Sequence, residues 1–202
     1  MATTTNVIRQ CLLRLQAGDA KAREELIHVS QKRVLIIARH EFRRFPRLRA
    51  WEETDDVVQN ALLRLHRSLE DVSPASAREF FGLASLQIRR TLIDLTRHYF
   101  GPEGLATKQA HAPGNAPSTS WLEAAIPTGE PQSLEDWVDF HELVAALPEP
   151  EREVVDLLWY QGLTQAEAAE VLGISERSVR RQWFSIRERL QTLWRKRHDT
   201  LP

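Results

Sequence analysis

The sequence predicts an all-α protein of two small helical domains joined by a flexible linker, the C-terminal one containing a helix-turn-helix. Three observations carry this. Glycine (eight residues) and tyrosine (two) are scarce while Leu, Ala, Glu and Arg dominate, a mix that favours helix over strand. Apolar residues recur at intervals of three and four, and no period-2 run of strand length appears. Residues 101–132, "GPEGLATKQAHAPGNAPSTSWLEAAIPTGEPQ", collect Gly, Pro, Ser, Thr and Ala without helical periodicity. A structureless stretch of about 30 residues is uncommon inside one compact domain. The chain therefore divides into a domain at 5–100, a linker at 101–132 and a domain at 133–197, with Trp121, Leu122 and Ile126 as apolar points at which the linker could dock.

In the first domain a helix over 5–17 ends at Gly18, and Asp19 caps a second that runs to about Phe42. Thr54 caps the next, with Asp55 and Asp56 in its first turn, where negative charge suits the helix dipole. Its apolar positions Val58, Ala61, Leu62, Leu65 and Leu69 follow helical spacing. Ser76 and Glu79 have capping-box spacing and open the last helix, whose buried stripe is Phe81, Ala84, Ile88, Leu92, Leu95 and Tyr99.

In the second domain Ser133 caps a helix that Pro148 stops. Pro150 suits the first turn of the next, with Val154, Val155, Leu157 and Leu158 as its apolar residues and Gly162 at its end. Thr164 and Glu167 form a second capping box, Gly173 breaks the chain, and Ser175 starts the last helix.

The totals exclude several classes. With 202 residues, 27% charged and a net charge of −1, the composition is that of a soluble protein. One cysteine, Cys11, rules out an internal disulfide framework and fits a reducing cytoplasm. It lacks an activating neighbour and reads as a small buried hydrophobe. The opening "MATTTNVIRQ" lacks a signal-peptide pattern, and no apolar run is long enough to span a bilayer, so a cytoplasmic protein without membrane contact is expected. The histidines (28, 40, 66, 98, 111, 141, 198) form no HExxH or ligand-like pair, so no metal or other cofactor is expected. Asp55 and Asp56 are adjacent and diverge on a helix, so they cannot flank a substrate as acid and base. Without a phosphate-cradling glycine loop either, the chain reads as a non-enzyme.

The informative stretch is "LTQAEAAEVLGISERSVRRQW", 163–183. In the last helix Val179, Trp183, Ile186, Leu190 and Leu193 mark the core face. Arg177, Arg180, Arg181, Phe184 and Arg187 lie away from it. Cations at a helix N-terminus oppose the dipole. DNA would supply the missing negative charge, because a helix fits the major groove and its N-terminal residues reach base edges, where Arg can bond guanine in bidentate fashion. The acid-rich segment 135–170 would avoid DNA and could meet a protein.

With both domains in view, the chain resembles the extracytoplasmic-function class of bacterial RNA polymerase sigma factors. "LPEPEREVVDLLWYQGLTQAEAAEVLGISERSVRRQW" is similar to the family's domain for the minus-thirty-five element, "TDDVVQNALLRLHRSL" to its polymerase-binding helix, and "REFFGLASLQIRRTLIDLTRH" to its minus-ten helix. The resemblance implies a protein that binds core RNA polymerase and promoter DNA, performs no chemistry itself, and is often held by an anti-sigma factor. It implies minus-thirty-five contacts at Arg177, Ser178, Arg180, Arg181, Phe184 and Arg187, the last toward phosphate. Minus-ten contacts fall to Arg78, Arg89, Arg90 and Arg97, next to a base pocket formed by the loop at about 70–75. Polymerase contacts fall to Asp55, Asp56, Gln59, Asn60 and Leu63, the last lying off the buried stripe. A helix-turn-helix regulator acting without polymerase is the alternative.

Overall fold

The computed structural model describes residues 4–44, 54–100 and 134–198. The linker reading at 101–132 and the Ser133 cap lie outside the described residues, as do the side chains of Asp55, Asp56, Leu95 and Tyr99. Every regular element among the described residues is helical. The first group is α1 (Thr4–Gln16), α2 (Lys21–Arg44), α3 (Thr54–Asp71) and α4 (Ala77–Phe100). The second is α5 (Leu134–Ala145), α6 (Glu149–Val155), a π-helical turn (Asp156–Tyr160), α7 (Gln165–Leu172) and α8 (Glu176–His198).

Local chemistry accounts for the helix ends. Gly18 takes φ 88° after α1, and Asp19 Oδ1 accepts from the Lys21 backbone N–H at 3.0 Å to start α2. At α4 the Glu79 N–H donates to Ser76 Oγ at 3.2 Å, while the Glu79 carboxylate accepts from the backbone N–H of Ala75, one residue earlier than the usual box. Thr164 and Glu167 complete a reciprocal box at α7. Pro148 precedes α6, with Pro150 in its first turn. Gly173 ends α7 in the left-handed region at φ 68°, and the Ser178 N–H donates to Ser175 Oγ at 3.1 Å to begin α8.

The apolar stripes close into one buried cluster. Ile8, Cys11 and Leu12 of α1, Leu26 of α2, Val58, Ala61, Leu65 and Leu69 of α3, and Phe81, Ala84 and Ile88 of α4 form its N-terminal part. A fully buried Leu or Phe contributes roughly 1.5–3 kcal/mol. Val154, Val155, Leu157, Leu158, Val179, Ile186 and Leu190 form the C-terminal part, with Phe140 and Trp159 in ring contact at 5.3 Å. The π-helical turn was not expected from the spacing. It widens the helix where Asp156 stands within the apolar run 154–160.

Helix α4 packs on both sides. One face meets α3 and the other meets α5 and the π-helical turn. That second contact holds Ser85 and Arg89, both bonded to Asp156, and Phe80, Gln87 and Thr91 are likewise buried besides the expected stripe.

Two glycines test this account with opposite signs. Gly173→Ala forces a side chain into a left-handed conformation and should cost on the order of 1 kcal/mol. Gly82→Ala, inside α4 with open space around the added carbon, should stabilise by about 0.5–1 kcal/mol. Urea unfolding followed by circular dichroism measures both.

Candidate nucleic-acid interface

The basic tip of α8 is positioned from behind. Val179, Ile186 and Leu190 are buried and fix the rotation of the helix. Arg177, Arg180 and Arg181 therefore face outward, and Phe184 is 62% exposed, an apolar ring held in water beside them. Arg180 Nη2 meets Glu176 Oε1 at 3.0 Å, and its Nε donates to Gln165 Oε1 at 3.2 Å. Both contacts lie at the surface, so they orient the guanidinium without enclosing it. Arg177 and Arg181 make no ion pair with a described residue. Ser178 is half-buried, its Oγ 2.8 Å from Ser175 Oγ, so its hydroxyl serves the cap. Arg187 is half-buried, with Nε enclosed and no acceptor among the described residues.

Two further arginines of α8 pair within the chain. Arg189 pairs with Glu151 at 2.8 Å, and Arg197 reaches Asp139 and Glu142 at 2.6 and 2.7 Å, tying the end of α8 to α5 and α6.

The arginines of α4 divide. Arg90 is exposed and makes no ion pair with a described residue. Arg78 places Nε and Nη2 on the two carboxylate oxygens of Glu153, each at 2.6 Å. Arg97 Nη2 meets Glu142 Oε1 at 2.9 Å. Arg89, expected on a DNA-facing surface, is instead 3% exposed: its Nη2 lies 3.0 Å from Asp156 Oδ1 and its guanidinium 5.0 Å from the Tyr160 ring centroid. The physical reason is the docking of α5 and the π-helical turn on that face of α4. The loop expected at about 70–75 begins later, because α3 continues to Asp71; Pro74 within it is buried, and its carbonyl accepts from Gln16 Nε2 at 3.4 Å.

On α3, Val57, Val58, Ala61 and Leu65 face the core. Gln59 and Asn60 are exposed, and Leu63 is 55% exposed, so these three share an outward stripe. Asp55 and Asp56 stand in the first turn of α3, with side chains outside the described residues.

A family model described as ECF sigma factor matches residues 5–196, which takes in both helical groups. The chain belongs to the ECF sigma factor family. A comparison with curated proteins finds no match. Membership gives this ECF sigma factor a role in promoter-directed transcription, in a family that is not a class of enzymes. ECF sigma factors bind core RNA polymerase and promoter DNA. Among the described residues no helix is long and apolar enough to cross a membrane.

Sequence reasoning missed a buried polar cluster between α4 and the C-terminal helices of the sigma factor. Ser85 Oγ donates to the Asp156 carbonyl at 3.3 Å, and Gln161 Nε2 donates to Ser85 Oγ at 2.9 Å. His141 Nδ1 lies 2.6 Å from Tyr160 Oη. The signal was present: Asp156 is a lone charge in the run "VVDLLWY", and an acid so placed needs a buried partner. Burial pushes the Asp156 carboxyl up to about 6, against the opposing pull of Arg89. Burial, then the Arg89 charge, pushes His141 down to about 3.

The two shifts oppose each other in acid. Asp156 holds a proton in the folded state before the unfolded chain does, so its contribution grows as pH falls from 6 to 4 and is lost as pH rises through 6. His141 resists the proton that the unfolded chain takes up below 6.5, so its contribution shrinks over the same window. Asp156→Asn should therefore lose stability relative to wild type as pH falls from 6 to 4, and His141→Gln should gain it, each on the order of 1 kcal/mol per pH unit. Urea midpoints across that range check both signs.

Proposed function

We propose that this sigma factor uses α3 to bind core RNA polymerase and reads promoter DNA in two places, with 5–100 serving the minus-ten element and 133–197 the minus-thirty-five element. The observation that carries this is the outward cluster Arg177, Arg180, Arg181 and Phe184 on the first turns of α8, whose opposite face is locked in the core. A cationic helix N-terminus of this kind fits a major groove, where Arg180 or Arg181 reaches base edges and Phe184 meets a thymine methyl. Arg187, nearer the flank, neutralises a phosphate, and Ser178 supports the cap that aims its neighbours. The exposed stripe Gln59, Asn60 and Leu63, together with Asp55 and Asp56 in the first turn of α3, is the polymerase contact; an exposed Leu there gains by being covered.

At the minus-ten element the solvent-facing Arg90 is the first contact, and Arg78, Arg89 and Arg97 join it only when their carboxylate partners leave. Capture of the melted strand is sustained by phosphate contacts and base stacking. The protein acts in the cytoplasm, and an anti-sigma factor of the kind frequent in the family is a further partner.

Run-off transcription with core polymerase on a genomic promoter library tests the whole reading; DNA binding without polymerase-dependent transcription would point to an ordinary helix-turn-helix regulator. Arg181→Ala should lose about 1–3 kcal/mol at one upstream base pair if it reads a base, and uniformly across sequences if it touches phosphate. Gln59→Ala combined with Leu63→Asp should weaken competition for core polymerase while helicity is retained, because the changed side chains are exposed. Unchanged competition would remove α3 as the contact.

A further inference from the structure

Of the arginines at the tip of α8, Arg180 is held differently from its neighbours. Its Nε donates to Gln165 Oε1 at 3.2 Å, and its Nη2 donates to Glu176 Oε1 at 3.0 Å. Arg177 and Arg181 make no ion pair with a described residue. A guanidinium is a rigid planar fork of N–H donors, with Nε and Nη2 along one edge and Nη1 and Nη2 at its end. The two contacts draw on the edge. Nη1 keeps both its N–H groups and Nη2 keeps one, so the end of the fork can still make two parallel hydrogen bonds. That pairing is the one guanine O6 and N7 accept in the major groove. We propose that Gln165 determines base specificity through Arg180: it fixes the edge of the guanidinium from α7, so that the free end is presented to a guanine of the minus-thirty-five element. This rests on the tip of α8 entering that element.

Gln165 is placed to do this by the turn itself. It is the first residue of α7 and half-buried, next to the reciprocal Thr164–Glu167 box that fixes that helix end. Helix α7 packs on α8, with Ala168, Ala169 and Val179 buried, and the Ile174 N–H donates to the Ala169 carbonyl at 3.1 Å across the turn. The amide of Gln165 is thus held at a set distance from a residue 15 positions later. An arginine accepts no hydrogen bond, so the Gln165 atom that faces it is the oxygen. Glu176 stands one turn before Arg180 on the same helix and cannot by itself tie the guanidinium to a second element. The Arg180 side chain is 69% exposed and that of Glu176 50%, so these contacts add little to the stability of the fold. Their effect falls on freedom of movement: a long side chain already held in place loses less on meeting its base than a loose one. Gln165 is therefore a positioning residue, and its contribution is read in discrimination between bases.

The test uses the full chain assembled with core polymerase, on an active promoter from the genomic library with its minus-thirty-five region randomised. Barcoded run-off transcripts, counted by sequencing, give the base preference at each position. Wild type should prefer guanine at one position, and Arg180→Ala should abolish that preference. Gln165→Met keeps the length of the side chain and removes the acceptor. It should reduce the same preference about two- to tenfold, the range set by the cost of ordering one loose side chain, and leave the other positions unchanged. Gln165→Glu keeps an acceptor for Arg180 and should hold the preference near wild type. In an Arg180→Ala background Gln165→Met should change nothing further, as a double-mutant cycle requires of a residue that acts through another. Circular dichroism should show wild-type helicity throughout, since neither side chain is fully buried. The proposal is overturned if Gln165→Met leaves the guanine preference intact or weakens every position equally, or if Gln165→Glu loses the preference. It is overturned too if Gln165→Met still alters a position when residue 180 is alanine, or if Arg180→Ala itself leaves every preference in place. Wild type that transcribes without any upstream base preference, or does not transcribe, sinks the promoter reading; a wild-type preference that Arg180→Ala removes and Gln165→Met does not sinks the role of Gln165 alone.

Discussion

A guanidinium and a carboxylate 3.0 Å apart, both almost wholly out of water, join α4 to the π-helical turn. Desolvating Arg89 and Asp156 costs several kcal/mol per ion, and their attraction offsets that only if the surroundings supply further partners. The surroundings here do so in part. Tyr160 lies beneath the guanidinium, and Ser85 and Gln161 occupy the Asp156 carbonyl side. The π-helical turn supports this arrangement: the extra residue in the turn widens the helix where the acid sits, and its carbonyl accepts from both Ser85 Oγ and the Gln161 N–H. The packing of α4 against the π-helical turn thus combines apolar contact with a buried, hydrogen-bonded ion pair.

The same constraint divides the cations of this sigma factor into two populations. Arginines whose partners lie in the chain, such as Arg189 and Arg197, tie α8 back onto α5 and α6. Arginines at the tip of α8 have only surface partners or none among the described residues, because Val179, Ile186 and Leu190 turn that face outward. A net charge of −1 conceals this division. Three acids of the acid-rich segment 135–170, Glu142, Glu153 and Asp156, pair with arginines of the chain's own α4.

Much of the fold was legible because it depends on local rules. Capping boxes, glycine stops and three-four spacing involve residues within a turn or two of each other, and both capping glutamates and the left-handed Gly173 stand where spacing put them. The exposure of Leu63 and Phe184 was legible for the same reason, since each falls off an apolar stripe that is itself periodic. Arg89 was not. One helical face can bury a cation only if a matching anion arrives from elsewhere, and Asp156 is 67 residues away. The π-helical turn was hidden likewise, because helix, strand and loop periodicities do not register a single inserted residue.

The sequence by itself determined where helices form, most of their apolar stripes and the cationic tip of α8, because each follows from contacts between near neighbours. Only the tertiary structure decided which arginines remain available. Availability depends on what packs opposite, and for α4 that is an acid face brought in from the far half of the chain.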